Sequence, residues 1–314
     1  MYTGSSRGIE AVILSASNRK VLPYLALGAG ILALGFSALF VRWAAAPGPV
    51  MGFYRLSLAL LIITPAFIRR RRTKRLPGWE VLWIPAIAGL FTALDHAIWN
   101  TAIHFTSAAN ATLLNNTAPL WVALIALWLF RERLRGLFWV GLGLTLTGAA
   151  AVLGSDFLRQ TTLGWGDMLA ICSGIFYAGY FLATQRGRKY LDTLSYIWIV
   201  GFFSSLALLV ICLVLRLPLT GYPSKTYLAF IGAAIIPQLG GYLSVGYAQG
   251  HLPASVVSPT MIGQPVMTAL LAIPLLGEVL HGYQVLGGLV VLVGIFMVHR
   301  SRSLQKDAEA PADI

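Results

Sequence analysis

Residues 102–148 repeat themselves 146 positions further along the chain, without a gap. The stretch AIHFTSAANATLLNNTAPLWVALIALWLFRERLRGLFWVGLGLTLTG lies over AQGHLPASVVSPTMIGQPVMTALLAIPLLGEVLHGYQVLGGLVVLVG, with 13 of 47 positions identical. Shared Leu and Ala count for little between apolar segments. A framework of Pro119/Pro265, Glu132/Glu278, Gly136/Gly282, Gly141/Gly287 and Gly148/Gly294 in fixed register is harder to reach by chance. The chain is therefore read as two copies of one unit.

The composition sets the medium in which those copies fold. The chain is 57% hydrophobic and 11% charged, against about 25% charged in an ordinary soluble domain. A membrane span needs about 20 apolar residues. Ten such runs are read at 22–41, 50–68, 80–103, 108–130, 136–154, 166–184, 194–215, 226–248, 254–276 and 282–299. They are too long, and too apolar all round, for the alternating strands of a β-barrel. The expected fold is an all-α membrane protein of ten transmembrane helices in two five-helix repeats. The division is an N-terminal segment 1–21, a first repeat 22–154, a second 155–300 and a polar tail 301–314, expected to be disordered. Residues 1–20 have no apolar core of the signal-peptide kind. Cys172 and Cys212 both fall inside spans, so no disulfide framework is expected.

The net charge of +12 raises nucleic acid as a partner, but its distribution points to the bilayer. With the N-terminus inside, 18 Lys and Arg fall on inner segments and four on outer loops, leaving Arg55 within a span. This places both termini in the cytoplasm. Five spans per half make the second copy enter upside down. The copies agree with this: RERLRG, expected inside, becomes GEVLHG, expected outside, keeping its Glu and shedding Arg131, Arg133 and Arg135. The connections FTSAA and GHLPA make tight hairpins of spans three–four and eight–nine.

Polar residues in hydrocarbon are costly, and so they point to function. Span three carries Asp95, His96, Trp99, Asn100 and His104, with 96, 100 and 104 on one helix face. Span four adds Asn110, Thr112, Asn115, Asn116 and Thr117 ahead of Pro119. They fit the wall of a wet cavity or polar glue between helices; their number in consecutive spans favours the cavity. Under the repeat, His96 faces Tyr242, Asn100 faces Gly246 and Asn115 faces Met261, so the copies match at scaffold positions and diverge at polar ones. Span eight carries Pro237, Gln238, Gly240 and Gly241, where a kinked or unwound helix with freed carbonyls is expected. Span nine has Pro259, Gly263, Gln264 and Pro265. Tyr177 and Tyr180 lie deep in span six, whereas Trp79, Trp83, Trp165 and Trp198 suit interfacial belts. The expected substrate-binding set is His96, Trp99, Asn100, Asn115, Asn116, Tyr177, Tyr180, Gln238, Tyr242 and Gln264. Arg55 could pair with a carboxylate, bind backbone carbonyls or snorkel toward an interface. Glu132 and Glu278 suit capping at helix ends.

An enzyme is not expected. GWGD at 164–167 matches the G-x-G-D string of intramembrane aspartyl proteases, a remote alternative. That chemistry needs two aspartates in one site; Asp95 is the other aspartate within a span, and Asp167 suits a helix N-cap. No zincin, serine-hydrolase or phosphate-loop motif and no clustered metal ligands appear, so no cofactor is called for.

With ten spans, Pro119 and Pro265 early in spans four and nine, WLFRE and PLLGE at their ends, and PGPVMGFYR opening span two, the chain resembles the EamA type of the drug/metabolite transporter superfamily over about residues 20–300. Its aromatic span six and GQPVMTALLA look similar to the YddG group of bacterial aromatic amino-acid exporters. The resemblance implies an inner-membrane exporter of Phe, Tyr and Trp working by alternating access. Its partners would be a small-molecule substrate and the lipid bilayer, with no nucleic acid. An exporter of drugs or other small metabolites on the same fold is the alternative. A nucleotide sugar would call for more cavity cations than Arg55. Spans one, three, four, six, eight and nine are expected around the cavity, and the Gly-rich spans five and ten at the periphery. His96, Asp95 and Glu278 could each carry a coupling proton.

Overall fold

The computed structural model describes residues 21–73, 76–102, 105–106, 114–129, 131, 133–153, 164–276 and 281–309. Among these residues it is helical, without strands. In chain order, α1 covers residues 21–44 with a break at Phe36. It is followed by α2 Gly48–Thr73, α3 Trp79–Ala102, α4 Ala118–Leu129 and α5 Gly136–Leu153. The second half holds α6 Trp165–Gly187, α7 Thr193–Val214, α8 Ser224–Gln249, α9 Ala254–Leu276 with a break at Ile262, and α10 Gly282–Glu309.

Eight of these helices are long and apolar enough to cross a membrane. The other two, Ala118–Leu129 and Gly136–Val152, are shorter apolar helices. Residues 107–113, which open the expected fourth span, lie outside the described residues. Leu61, Trp128, Val214, Leu228 and Phe296 are each at least 67% exposed, which fits a lipid-facing surface. Trp79, Trp83 and Trp165 are also exposed. Trp198 is partly buried: it stacks on Phe67 at 4.1 Å and donates to the Thr64 hydroxyl, packing α7 onto α2. At the other end of the chain, α10 stays helical to Glu309, through residues whose polarity suggests a disordered tail.

The two halves contact each other in a symmetric pattern. The major contacts between halves are α5 with α10, α3 with α6, α2 with α7, α3 with α7, α2 with α8 and α1 with α8. Exchanging the halves turns α1·α8 into α6·α3 and leaves α2·α7 and α5·α10 unchanged, as a two-fold axis requires. Glycines give the direction of the α5–α10 pair. A Cβ on Gly141 would lie 2.8 Å from the Gly294 carbonyl oxygen, and one on Gly148 only 2.7 Å from that of Gly287. The helices therefore meet backbone to backbone and run antiparallel. The repeat pairs the same glycines the other way, Gly141 with Gly287 and Gly148 with Gly294, so each contact is the image of the other. The α2–α7 pair is also antiparallel: Gly52 faces Leu208 near one end, and Arg71 bonds Ser195 near the other.

Prolines set the breaks. Pro119 and Pro265 lack the N–H that would bond the carbonyl four residues back, at Asn115 and Met261. The chain turns at 116–117 in one half and at Ile262 in the other, equivalent positions under the repeat. Pro237 acts differently. Instead of unwinding, α8 widens into a π-helix over Ala234–Gly241, and the Tyr242 N–H still reaches the Pro237 carbonyl. Gly241 lets α1 approach here: a Cβ would lie 2.7 Å from Leu34 Cγ.

Candidate functional site

Arg55 lies on α2 in the protein interior, 6% exposed. Its Nε donates to Gln238 Oε1 at 2.8 Å, and Nη1 donates to Ser37 Oγ at 2.6 Å. Its guanidinium lies 5.6 Å from the centre of the Tyr242 ring, a cation–π arrangement. In place of the expected carboxylate, backbone carbonyl or interface, its partners among the described residues are a side-chain amide oxygen, a hydroxyl and a ring. Three helices converge on this side chain. Ser37 is placed by the break in α1, and Gln238 by the widened turn of α8.

A second polar group sits on α3. Asp95 is 8% exposed, and its Oδ1 accepts from Asn115 Nδ2 at 2.8 Å. The same amide reaches Ser173 Oγ on α6 at 2.9 Å, and Ser173 donates to the Ala170 carbonyl. Asn115 lies just before the turn at 116–117 that precedes Pro119, and its side chain bridges α3 and α6. His96 Nδ1 lies 2.8 Å from the Thr92 carbonyl and 3.6 Å from Asp95 Oδ2. A carbonyl only accepts, so the proton belongs on Nδ1.

Aromatic rings connect the two groups. Tyr177 and Tyr180 stack with centroids 6.3 Å apart, and Tyr180 meets Tyr242 edge-on at 6.0 Å. Tyr177 and Tyr242 each lie within electrostatic reach of both Arg55 and Asp95. Tyr180 is fully buried, whereas Tyr177 and Tyr242 are partly open.

His96, Asn115, Tyr177, Tyr180, Gln238 and Tyr242 thus come together around Arg55 and Asp95. Trp99 sits apart, packed with Leu114, Leu169, Ala102 and Ala170. Asn116 lies half-buried at the α4 break. Gln264 serves another helix: its Nε2 donates to the Leu34 carbonyl at 3.2 Å, beside Thr268, whose hydroxyl donates to Gly35. His104, Asn110, Thr112, Glu132, Glu278 and the side chain of Asn100 lie outside the described residues. Ser37 and Ser173 had no motif to mark them, but Arg55 and Asp95 were legible as ionisable residues within apolar spans. Two apolar surface grooves, one floored by Phe40 and Ala229 and one by Val266 and Gly288, lie away from this cluster.

The two ends of α6 hold the two hairpins. At its start, Asp167 caps the helix by accepting from the Gly164 N–H at 2.9 Å, and takes the Thr106 hydroxyl at 2.7 Å. Asp167 is held by Gly164 and Thr106 and Asp95 by Asn115, and no hydrogen bond links the two carboxyls among the described residues. Near the other end, Gln185 Oε1 accepts from the Ala254 N–H at 2.8 Å, and Arg188 Nε donates to the Gly246 carbonyl at 2.8 Å. Beyond the helix, Asp192 caps α7 through Ser195 and pairs with Arg70 at 3.0 Å and Arg71 at 3.4 Å. Burial pushes its carboxyl up, but the Ser195 hydroxyl and N–H together with Arg70 outweigh it and hold it below the ordinary value.

Residues 22–154 and 164–300 each match the model of the EamA-like transporter family. The chain is 28% identical over 223 residues to an uncharacterised transporter of Synechocystis sp., covering 70% of this chain and 67% of that one. It is 26% identical over 261 residues to a probable terminal-alkyne amino-acid exporter of Streptantibioticus cattleyicolor, covering 81% and 83% of the two chains. One crystal structure matches with a TM-score of 0.72 at 20% identity, covering 89% of this chain and 98% of that chain, which shows a shared fold alone. With both halves matched by one family model, and with eight helices long enough to cross a bilayer, the chain belongs to the EamA-like transporter family and is a multi-pass membrane transporter.

Proposed function

We propose that this transporter exports amino acids, aromatic ones in particular, across the bacterial inner membrane by alternating access. Ten spans in two inverted halves, with both termini cytoplasmic, carry the mechanism. The observation behind it is the buried cluster in which Arg55, Asp95 and His96 share one neighbourhood with Tyr177, Tyr180 and Tyr242. Charged groups at membrane depth are by default functional, and rings beside them suit a substrate with an apolar side chain and polar ends. The amino-acid exporter among the relatives supports the substrate class. The antiparallel pairing of equivalent helices and the excess of inner cations support the inversion and the orientation. In this reading His96, Asn115, Tyr177, Tyr180, Gln238 and Tyr242 form the site. Trp99, Asn100 and Asn116 flank it, and Gln264 braces α1.

The test is flux of labelled Phe and Trp into liposomes holding the purified protein. Saturable flux is expected, with loss in His96→Ala and Tyr242→Ala and a smaller loss in Trp99→Ala. Absence of flux for every amino acid overturns the function. Flux unaltered in all three variants overturns the site.

A further inference from the structure

We infer that Arg55 and Asp95 are the two poles of one site for a zwitterion, Arg55 taking the α-carboxylate and Asp95 the α-ammonium of a bound amino acid. The inference rests on the amino-acid reading above and assigns the groups that would recognise it. Arg55 is buried, yet its partners are neutral: Gln238, Ser37 and the Tyr242 ring. A guanidinium has five N–H donors in a planar fork; among the described residues its Nη2 edge makes no hydrogen bond. Asp95 is likewise held by a neutral group, with Oδ1 on Asn115. Its Oδ2 accepts no hydrogen bond among the described residues and lies 3.6 Å from His96 Nδ1, which is turned to the Thr92 carbonyl.

A cation and a carboxylate thus share one buried neighbourhood: a Cβ on Gly52, one turn before Arg55, would lie 3.8 Å from the ring of His96, which adjoins Asp95, and no ion pair joins Arg55 to Asp95 among the described residues. Leaving two opposite charges buried without an ion pair between them is costly. A ligand that carries both opposite charges on one carbon offsets both costs at once; a simple amine or acid offsets one. Gln238 and Ser37 fix the guanidinium on one side, and Asn115 and Ser173 fix the carboxylate on the other. Each pole is therefore oriented before the ligand arrives, which lowers the cost of binding.

Competition against labelled phenylalanine in proteoliposomes tests this, with phenethylamine lacking the carboxylate and 3-phenylpropionate lacking the ammonium. In the wild type each analogue is expected to compete at least roughly 10-fold more weakly than phenylalanine. Arg55→Gln is expected to weaken phenylalanine by roughly 10- to 100-fold and leave phenethylamine nearly unchanged. Asp95→Asn should do the reverse, abolishing the preference for phenylalanine over 3-phenylpropionate. Should either variant fail to fold, Arg55→Lys and Asp95→Glu are scored by the same ratios, and the wild-type pattern decides by itself. Equal competition by all three ligands in the wild type, or equal weakening of all three in the variants, overturns the two poles while leaving the amino-acid reading standing. A wild type that moves no amino acid but carries other solutes overturns that reading, and the poles fall with it.

Discussion

A carbonyl that loses its helical donor needs another, and Leu34 and Gly35 find theirs on α9. The break at Phe36 exposes them, and Gln264 and Thr268 supply an amide and a hydroxyl. From sequence, Gln264 is a polar residue among prolines and glycines, which reads as a binding residue. Its partner lies 230 positions away, beyond anything local pattern can show. Arg55 has the same character: the lone cation was visible, but Gln238, 183 positions distant, was not. Gln264→Leu should therefore lower stability by about 1–3 kcal/mol, the cost of an unmet buried acceptor, and leave the KM for phenylalanine unchanged. Thermal unfolding in detergent beside liposome flux checks both halves of that statement. Asp192 makes a pH prediction outside the membrane. Its carboxyl is held below the ordinary value of about 3.9, so it stabilises the fold fully above that value. The contribution is lost as pH falls through the depressed folded value. Asp192→Asn should be less stable than the wild type at neutral pH, and the gap should close as the buffer is taken below pH 4.

Helices α5 and α10 were expected, as Gly-rich spans, at the periphery; that they pack on each other was not legible in the sequence. What the pattern could not show is that the glycines meet crosswise. Gly148 and Gly287 leave no room for a methyl group, because the opposing atom is a backbone carbonyl that cannot rotate aside. Gly148→Ala or Gly287→Ala should cost about 1–3 kcal/mol by overpacking. Gly143→Ala, on the same helix with open space around it, should be neutral or better. Thermal unfolding of the three variants separates a packing requirement from a general dislike of substitution in α5. Proline effects were only half legible. Pro119 and Pro265 break their helices at equivalent positions, as their chemistry requires. Pro237 was expected to kink or unwind α8; the helix widens into a π-helix there, packed against α2, and that neighbourhood is tertiary information.

At the scale of the whole molecule, α6 is the element that both hairpins grip. Asp167, near its start, holds the α3–α4 hairpin through Thr106; Gln185, near its end, holds α9 at the Ala254 N–H. Eighteen residues of helix separate these two contacts, about 27 Å at 1.5 Å per residue, close to the thickness of a hydrocarbon core. The short hairpins were legible in FTSAA and GHLPA, and closure of opposite mouths was expected of them; that α6 is their common anchor was not. If the halves rock around a central site, the two contacts oppose each other, and loosening one should favour opening at that face alone. The measurement uses a background with Cys172→Ser and Cys212→Ala, a single cysteine at Tyr177, and a membrane-impermeant maleimide applied from either side of oriented vesicles. Asp167→Asn, which weakens the hold on the Thr106 hydroxyl, should raise labelling from the Asp167 face and lower it from the other. Gln185→Leu should give the mirror result. Labelling that rises from the same face in both variants would mean that the hairpins do not close opposite mouths, and alternating access about α6 would have to be abandoned.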